Sequence, residues 1–203
     1  MDIICLVENY ITNYYKEFCN ETFAYHNLDH VNFVVDAVVE IGNEIIQNNE
    51  DMEILKIAAW FHDIGHFSSK EEHEKISANT AKIYLELVEY PQEKIDSVTK
   101  CIIATDLEVQ PTNILEMIIK DADLSHLGST NYITYSDNLF DEFIKRKICS
   151  IDYNIWLKSS IKFFEKYQYY TSYAKKLYEK QKTINLAKLY SMVNKNSFVH
   201  ESK

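Results

Sequence analysis

Residues 54–66 read Ile-Leu-Lys-Ile-Ala-Ala-Trp-Phe-His-Asp-Ile-Gly-His. Ile54, Leu55, Ile57, Ala58, Ala59, Trp60 and Phe61 cover nearly the whole circumference of a helix predicted over 51–64. A helix that is apolar nearly all round is packed inside a larger body. Its end carries His62 and Asp63 into that interior, and Gly65 reads as the stop signal. An aspartate in such a place is costly unless it is paired or holds a metal.

Helical periodicity continues outward on both sides. Residues 2–19 read as a first helix and 29–48 as a second, with Val31, Val34, Val35, Val38, Ile41 and Ile45 at three- and four-residue steps. Asp29 is its candidate N-cap, and Asn27 can also cap or hold an imidazole. Residues 71–89 give a fourth helix. Pro91 can open a fifth, reaching about Ala104. Pro111 opens the next, which carries Ile114, Leu115, Ile118, Ile119 and Asp121–Leu124. Residues 129–195 read as two or three long helices rich in Tyr, Phe and Lys, ahead of a short polar tail, 196–203. Of 203 residues, 46% are hydrophobic, enough for a sizeable core. Three glycines and two prolines are too few for a sandwich or barrel, and they exclude a Gly-rich phosphate loop. The expected fold class is all-α: a single-domain helical bundle over 1–203.

Net charge is −10, unevenly spread. Residues 1–144 hold 8 Lys against 27 Asp and Glu, while residues 145–203 hold 13 Lys and Arg against 4 Asp and Glu. The acidic body argues against general nucleic-acid binding, because phosphates would be repelled. The basic last third can meet a phosphate or pack against the acidic body. Arg146 is the sole arginine, so phosphate would be met by lysine or metal. No apolar run is long enough to span a membrane. The start, Met1–Cys5, lacks a basic segment and does not read as a secretory signal. Cys5, Cys19, Cys101 and Cys149 form no CxxC pair and read as free thiols in a reducing cytoplasm.

Five of the seven histidines fall between residues 26 and 73. A lone buried histidine is usually a satisfied core residue; several together each need partners. His62 and Asp63 are adjacent, so on a helix their side chains diverge by about 100°. Both reach one metal only in a pocket between helices. His30 and Asp123, each in an apolar helix, can complete it. Two imidazoles and two carboxylates suit Mn, Fe, Co, Zn or Mg and leave room for water and a phosphate oxygen.

The flanking text strengthens this reading. Tyr25–Val31 (YHNLDHV), Phe61–His66 (FHDIGH) and Asp121–Ser125 (DADLS) resemble the HD-domain superfamily of metal-dependent phosphohydrolases. The first is also similar to the YHNxxH signature of cyclic-nucleotide phosphodiesterases. A bacterial family of predicted HD phosphohydrolases shares these motifs, with Ser77-Ala78, Leu127-Gly128 and Asn185-Leu186 beyond them. The resemblance is specific to about residue 128 and loose thereafter. It implies an HD-type bundle binding one or two divalent metals through His30, His62, Asp63 and Asp123, with Asp63 bridging if two bind. It further implies that His26 protonates the leaving oxygen. His26 and His30 share a helix face if the second helix extends back that far. The implied activity is hydrolysis of a phosphate ester in a nucleotide or other small phosphorylated metabolite.

His66 and His73 are candidates for a second metal or for phosphate. Thr105–Glu108 lacks a histidine that related chains often have there, and Glu108 can substitute. His126 reads as core, and His200 lies in the tail. Lys70, Lys75, Lys120 and the C-terminal lysines are phosphate candidates. The aromatic run Phe163–Tyr173 reads as core rather than as a base-stacking platform. Long aromatic helices suggest a homodimer. Two other readings compete: a non-catalytic metal- or nucleotide-binding regulatory module, and a structural bundle whose His-Asp cluster is coincidental.

Overall fold

The computed structural model describes residues 2–69 and 71–200, with side chains through 195. Among these residues there are nine α-helices and no strand, as the periodicity requires. None of the helices is long and apolar enough to cross a membrane. The chain divides into two compact units, Met1–Leu124 and Ser125–Lys203.

The first unit holds α1 (Ile3–Phe18), α2 (Leu28–Ile45), α3 (Asn49–Phe61), α4 (His73–Leu87), α5 (Gln92–Ile103) and α6 (Ile114–Asp123). α3 packs against all five of the others. That is why its sequence is apolar all round: Ile54, Leu55 and Ile57–Phe61 are buried. Each such large apolar side chain contributes roughly 1.5–3 kcal/mol by leaving water. α1 needs only one stripe and buries Val7, Ile11 and Tyr15 at four-residue steps.

Several boundaries differ from expectation for local reasons. α2 is capped by Asn27, whose Oδ1 accepts from the backbone N–H groups of Asp29 (3.0 Å) and His30 (3.2 Å); Asp29 lies inside the first turn. His26 therefore precedes the helix and shares no helical face with His30. α3 ends at Phe61, three residues early, and the chain tightens into a 3-10 turn over Ile64–Phe67. Gly65 lies within that turn and keeps a negative φ. α6 starts after Asn113 rather than at Pro111. Asn113 caps Leu115 and Glu116, and the Glu116 carboxylate reaches back to the Thr112 N–H at 2.6 Å.

The second unit holds α7 (Tyr132–Lys145), α8 (Tyr153–Lys166) and α9 (Ser172–His200). α8 packs on α9, and Phe164, Tyr167 and Tyr169 are buried, which is the core role expected of this aromatic run. His126 lies between the rings of Tyr132 and Tyr135, also a packing position. α9 enters the expected polar tail, but the side chains of 196–200, His200 among them, lie outside the described residues, as do residues 201–203 and Lys70.

Candidate metal centre

Three helix ends in the first unit bring the predicted residues together. His30 comes from the first turn of α2, His62 and Asp63 from the end of α3, and Asp123 from the last position of α6. The 100° divergence of His62 and Asp63 is relieved because the helix stops there. His62 keeps helical angles, while Asp63 turns out with φ −109° and ψ 1°. Their polar atoms then face each other: His62 Nε2 and Asp63 Oδ2 are 3.1 Å apart.

His30 Nε2 lies 3.2 Å from Asp63 Oδ2, 3.4 Å from Asp123 Oδ1 and 3.3 Å from His62 Nε2. His62 Nε2 lies 3.7 Å from Asp123 Oδ1. Donors held about 2.1 Å from one ion stand roughly 3.0–3.4 Å apart, so this spacing suits a shared cation. The tautomer suits it too. His62 Nδ1 is 2.8 Å from the Ala59 carbonyl, which can only accept; Nδ1 carries the proton and Nε2 offers its lone pair to the cluster.

Burial alone would push His30 down, but hydrogen bonds to Asp123 and Asp63 raise it to about 9. Burial likewise opposes the His62 charge, and Asp63 outweighs it, so His62 is raised. Burial would raise Asp63, yet His62 and His30 hold it well below the usual carboxylate range. Asp123 is lowered against burial by its hydrogen bond to His30 and by the His62 charge. Two carboxylates, Asp63 buried and Asp123 partly so, thus draw positive charge, supplied by protons when no metal is bound.

The model of the HD-domain family matches residues 27–127. The chain carries an HD domain. A crystal structure described as a predicted HD superfamily hydrolase, from an uncultured Thermotogales bacterium, has the same fold, with 20% identity, full coverage of both chains and a TM-score of 0.60. No curated protein matches the sequence.

The HD domain also assembles a second group of donors. His26, Asp63 and His66 have ligand atoms that can meet on one ion, and His30, His62 and Asp63 form another such group. Asp63 belongs to both. Its Oδ2 faces His30 and His62, while Oδ1 lies 3.7 Å from His66 Nε2 and 3.9 Å from His73 Nε2. The rings of His26, His66 and His73 stack in series, with centroids 3.8 and 3.7 Å apart.

Two residues behind this group take roles in the structure that their sequence reading, as a stop signal and as part of a family motif, did not specify. Gly65 permits a close approach: a Cβ there would meet the His73 carbonyl oxygen at 2.1 Å. The Gly65 N–H donates to buried Ser77 Oγ at 2.9 Å, docking the start of α4 on the turn that carries His66. Other candidates fall away. Glu108 is exposed beyond α5. Lys120 is buried, and its ammonium donates to the carbonyls of Asp106 (2.6 Å) and Val109 (2.5 Å), a staple rather than a phosphate contact. Lys75 is exposed and paired with Glu72. Tyr25 is buried with its ring against His26 and His30.

Proposed function

We propose that this chain is a metal-dependent phosphohydrolase acting on a nucleotide or another small phosphorylated compound. The observation that carries the reading is the inner group: four donor atoms of His30, His62, Asp63 and Asp123, 3.1–3.7 Å apart along the measured pairs and largely buried. Two imidazoles and two carboxylates suit a divalent ion of the Mn, Fe, Co, Zn or Mg kind, and Asp63 is the residue able to bridge a second. When bound, the metal supplies Lewis-acid polarisation of the phosphoryl group and acidifies a water for attack.

The residues of the chain do the rest. The Ala59 carbonyl orients the His62 ring, and the Asn27 cap holds the His30 backbone in the first turn of α2. His26 is half-buried beside His66 and is the residue assigned to protonate the departing ester oxygen. An imidazole can both donate and accept a proton, which suits that task. The family match at residues 27–127 and the fold shared with a predicted hydrolase support this reading.

The test is hydrolysis by Mn²⁺-loaded protein across phosphomonoesters, nucleoside triphosphates, cyclic mononucleotides and dinucleotides, beside Asp63→Ala. Turnover that vanishes in the variant supports the site and identifies the substrate class. Turnover that survives the substitution overturns it. Metal binding with no turnover on any substrate shifts the reading to a non-catalytic regulatory module.

A further inference from the structure

The outer group around Asp63 Oδ1 has an electrostatic gap. Its imidazoles are neutral when they ligate, and its one carboxylate is shared with the inner group. Asp123 meets His30 and His62 on the inner side. A divalent ion out of water needs compensating negative charge. A carboxylate stands next to His73. Glu74 lies in the first turn of α4, with its side chain 14% exposed and Oε1 3.1 Å from His73 Nε2. That is the separation of two donors on one ion, and it matches the 3.1 Å between His62 and Asp63 in the inner group.

We propose that Glu74 is a direct carboxylate donor to a second divalent cation, bound at Asp63 Oδ1 beside His73 and His66. The assignment rests on the metal-centre reading above and deepens it. Backbone geometry supports it independently of charge. The close approach that Gly65 allows, and the Gly65–Ser77 hydrogen bond, fix the start of α4, so His73 arrives 3.9 Å from the outer oxygen with Glu74 against its far side.

The experiment is calorimetric titration of the metal-free full chain with Mn²⁺, without substrate, for the wild type, Glu74→Gln and Glu72→Gln. Glu72 is the neighbouring carboxylate, 63% exposed and paired with Lys75, so it controls for the general field. The wild type is expected to take two equivalents. Glu74→Gln keeps the first unchanged and weakens the second at least tenfold, whereas Glu72→Gln changes neither. The inference is overturned if Glu74→Gln binds both equivalents as the wild type does, if both substitutions weaken the second equally, or if Glu74→Gln loses both. A wild type that binds one equivalent removes this inference and leaves the hydrolase reading standing. One that binds none removes both.

Discussion

Both units bury polar side chains as staples, Lys120 among them in the first, but the first unit also aims a set of them at one another. In the second unit Lys182, Asn185 and Glu142 are each satisfied close by. Lys182 donates to the Tyr167 carbonyl at 2.6 Å and meets Glu179 at 3.2 Å. Asn185 donates to the carbonyls of Leu127 (2.9 Å) and Ser129 (2.7 Å), and Glu142 pairs with Arg146 at 2.7 Å. The Lys182 and Asn185 bonds to carbonyls fasten preceding segments to α9, and the Glu142–Arg146 pair closes the end of α7. In the first unit His30, His62, Asp63 and Asp123 are aimed at one another from three helix ends, and their charges are balanced only by borrowed protons. Buried groups directed at backbone carbonyls hold a fold together. Buried titratable groups directed at each other leave a place for a cation.

The largest test of that contrast is Asp63→Ala. It removes the residue common to both donor groups, so metal retention after desalting and hydrolysis are both expected to fall to background. Metal retained at the wild-type ratio would erase the distinction.

Acid should act next most strongly. A metal must displace the proton that His30 holds up to about pH 9, so apparent Mn²⁺ affinity rises with pH, by about tenfold per unit for each proton released. Calorimetry at pH 6, 7 and 8 in two buffers of different ionisation enthalpy reads that slope, and a flat profile contradicts it. In the metal-free protein the sign reverses. The stability His30 contributes is complete below its unfolded value of about 6.5 and is lost as pH rises through about 9. Asp63 and Asp123 are lowered, so their contribution is present above about pH 4 and lost as pH falls through their folded values.

Gly65→Ala sharpens the comparison inside the first unit. The new Cβ meets the His73 backbone, and relieving that overlap costs on the order of 1–3 kcal/mol. Urea denaturation reads the loss. The second Mn²⁺ equivalent should weaken while the first persists.

Lys182→Met probes the other side. It leaves the buried Tyr167 carbonyl without its donor, costing about 1–3 kcal/mol in urea denaturation, with Mn²⁺ affinity unchanged. A change in metal affinity would show that the two kinds of buried group are not separable.

The smallest effect is expected from Asn27→Ala. It loses a helix cap worth about 1 kcal/mol and loosens the start of α2 at His30. Thermal denaturation of the metal-free protein measures it.

Much of the fold was legible because its signals are local. The apolar circumference of residues 54–61 anticipated the helix that packs on all five others in its unit, and the scarcity of glycine and proline anticipated a chain without strands among the described residues. Helix starts were less legible. Asn27 and Asn113 won their caps through side-chain oxygens placed to accept from N–H groups two and three residues on, over Asp29 and Pro111.

The sequence by itself determined that His30, His62, Asp63 and Asp123 had to find partners. A charged or polar group in an apolar helix is too costly to bury alone, and that cost is written locally. Only the tertiary structure decided which atoms meet. His26 lies off the helix, Lys120 is consumed by two carbonyls, Gly65 faces the His73 backbone rather than ending a helix, and Glu74 comes within 3.1 Å of His73 at the outer side of Asp63. The physical reason is range. Periodicity and capping act over three or four residues, whereas these encounters depend on how a turn and a later helix dock, a distance that no local pattern encodes.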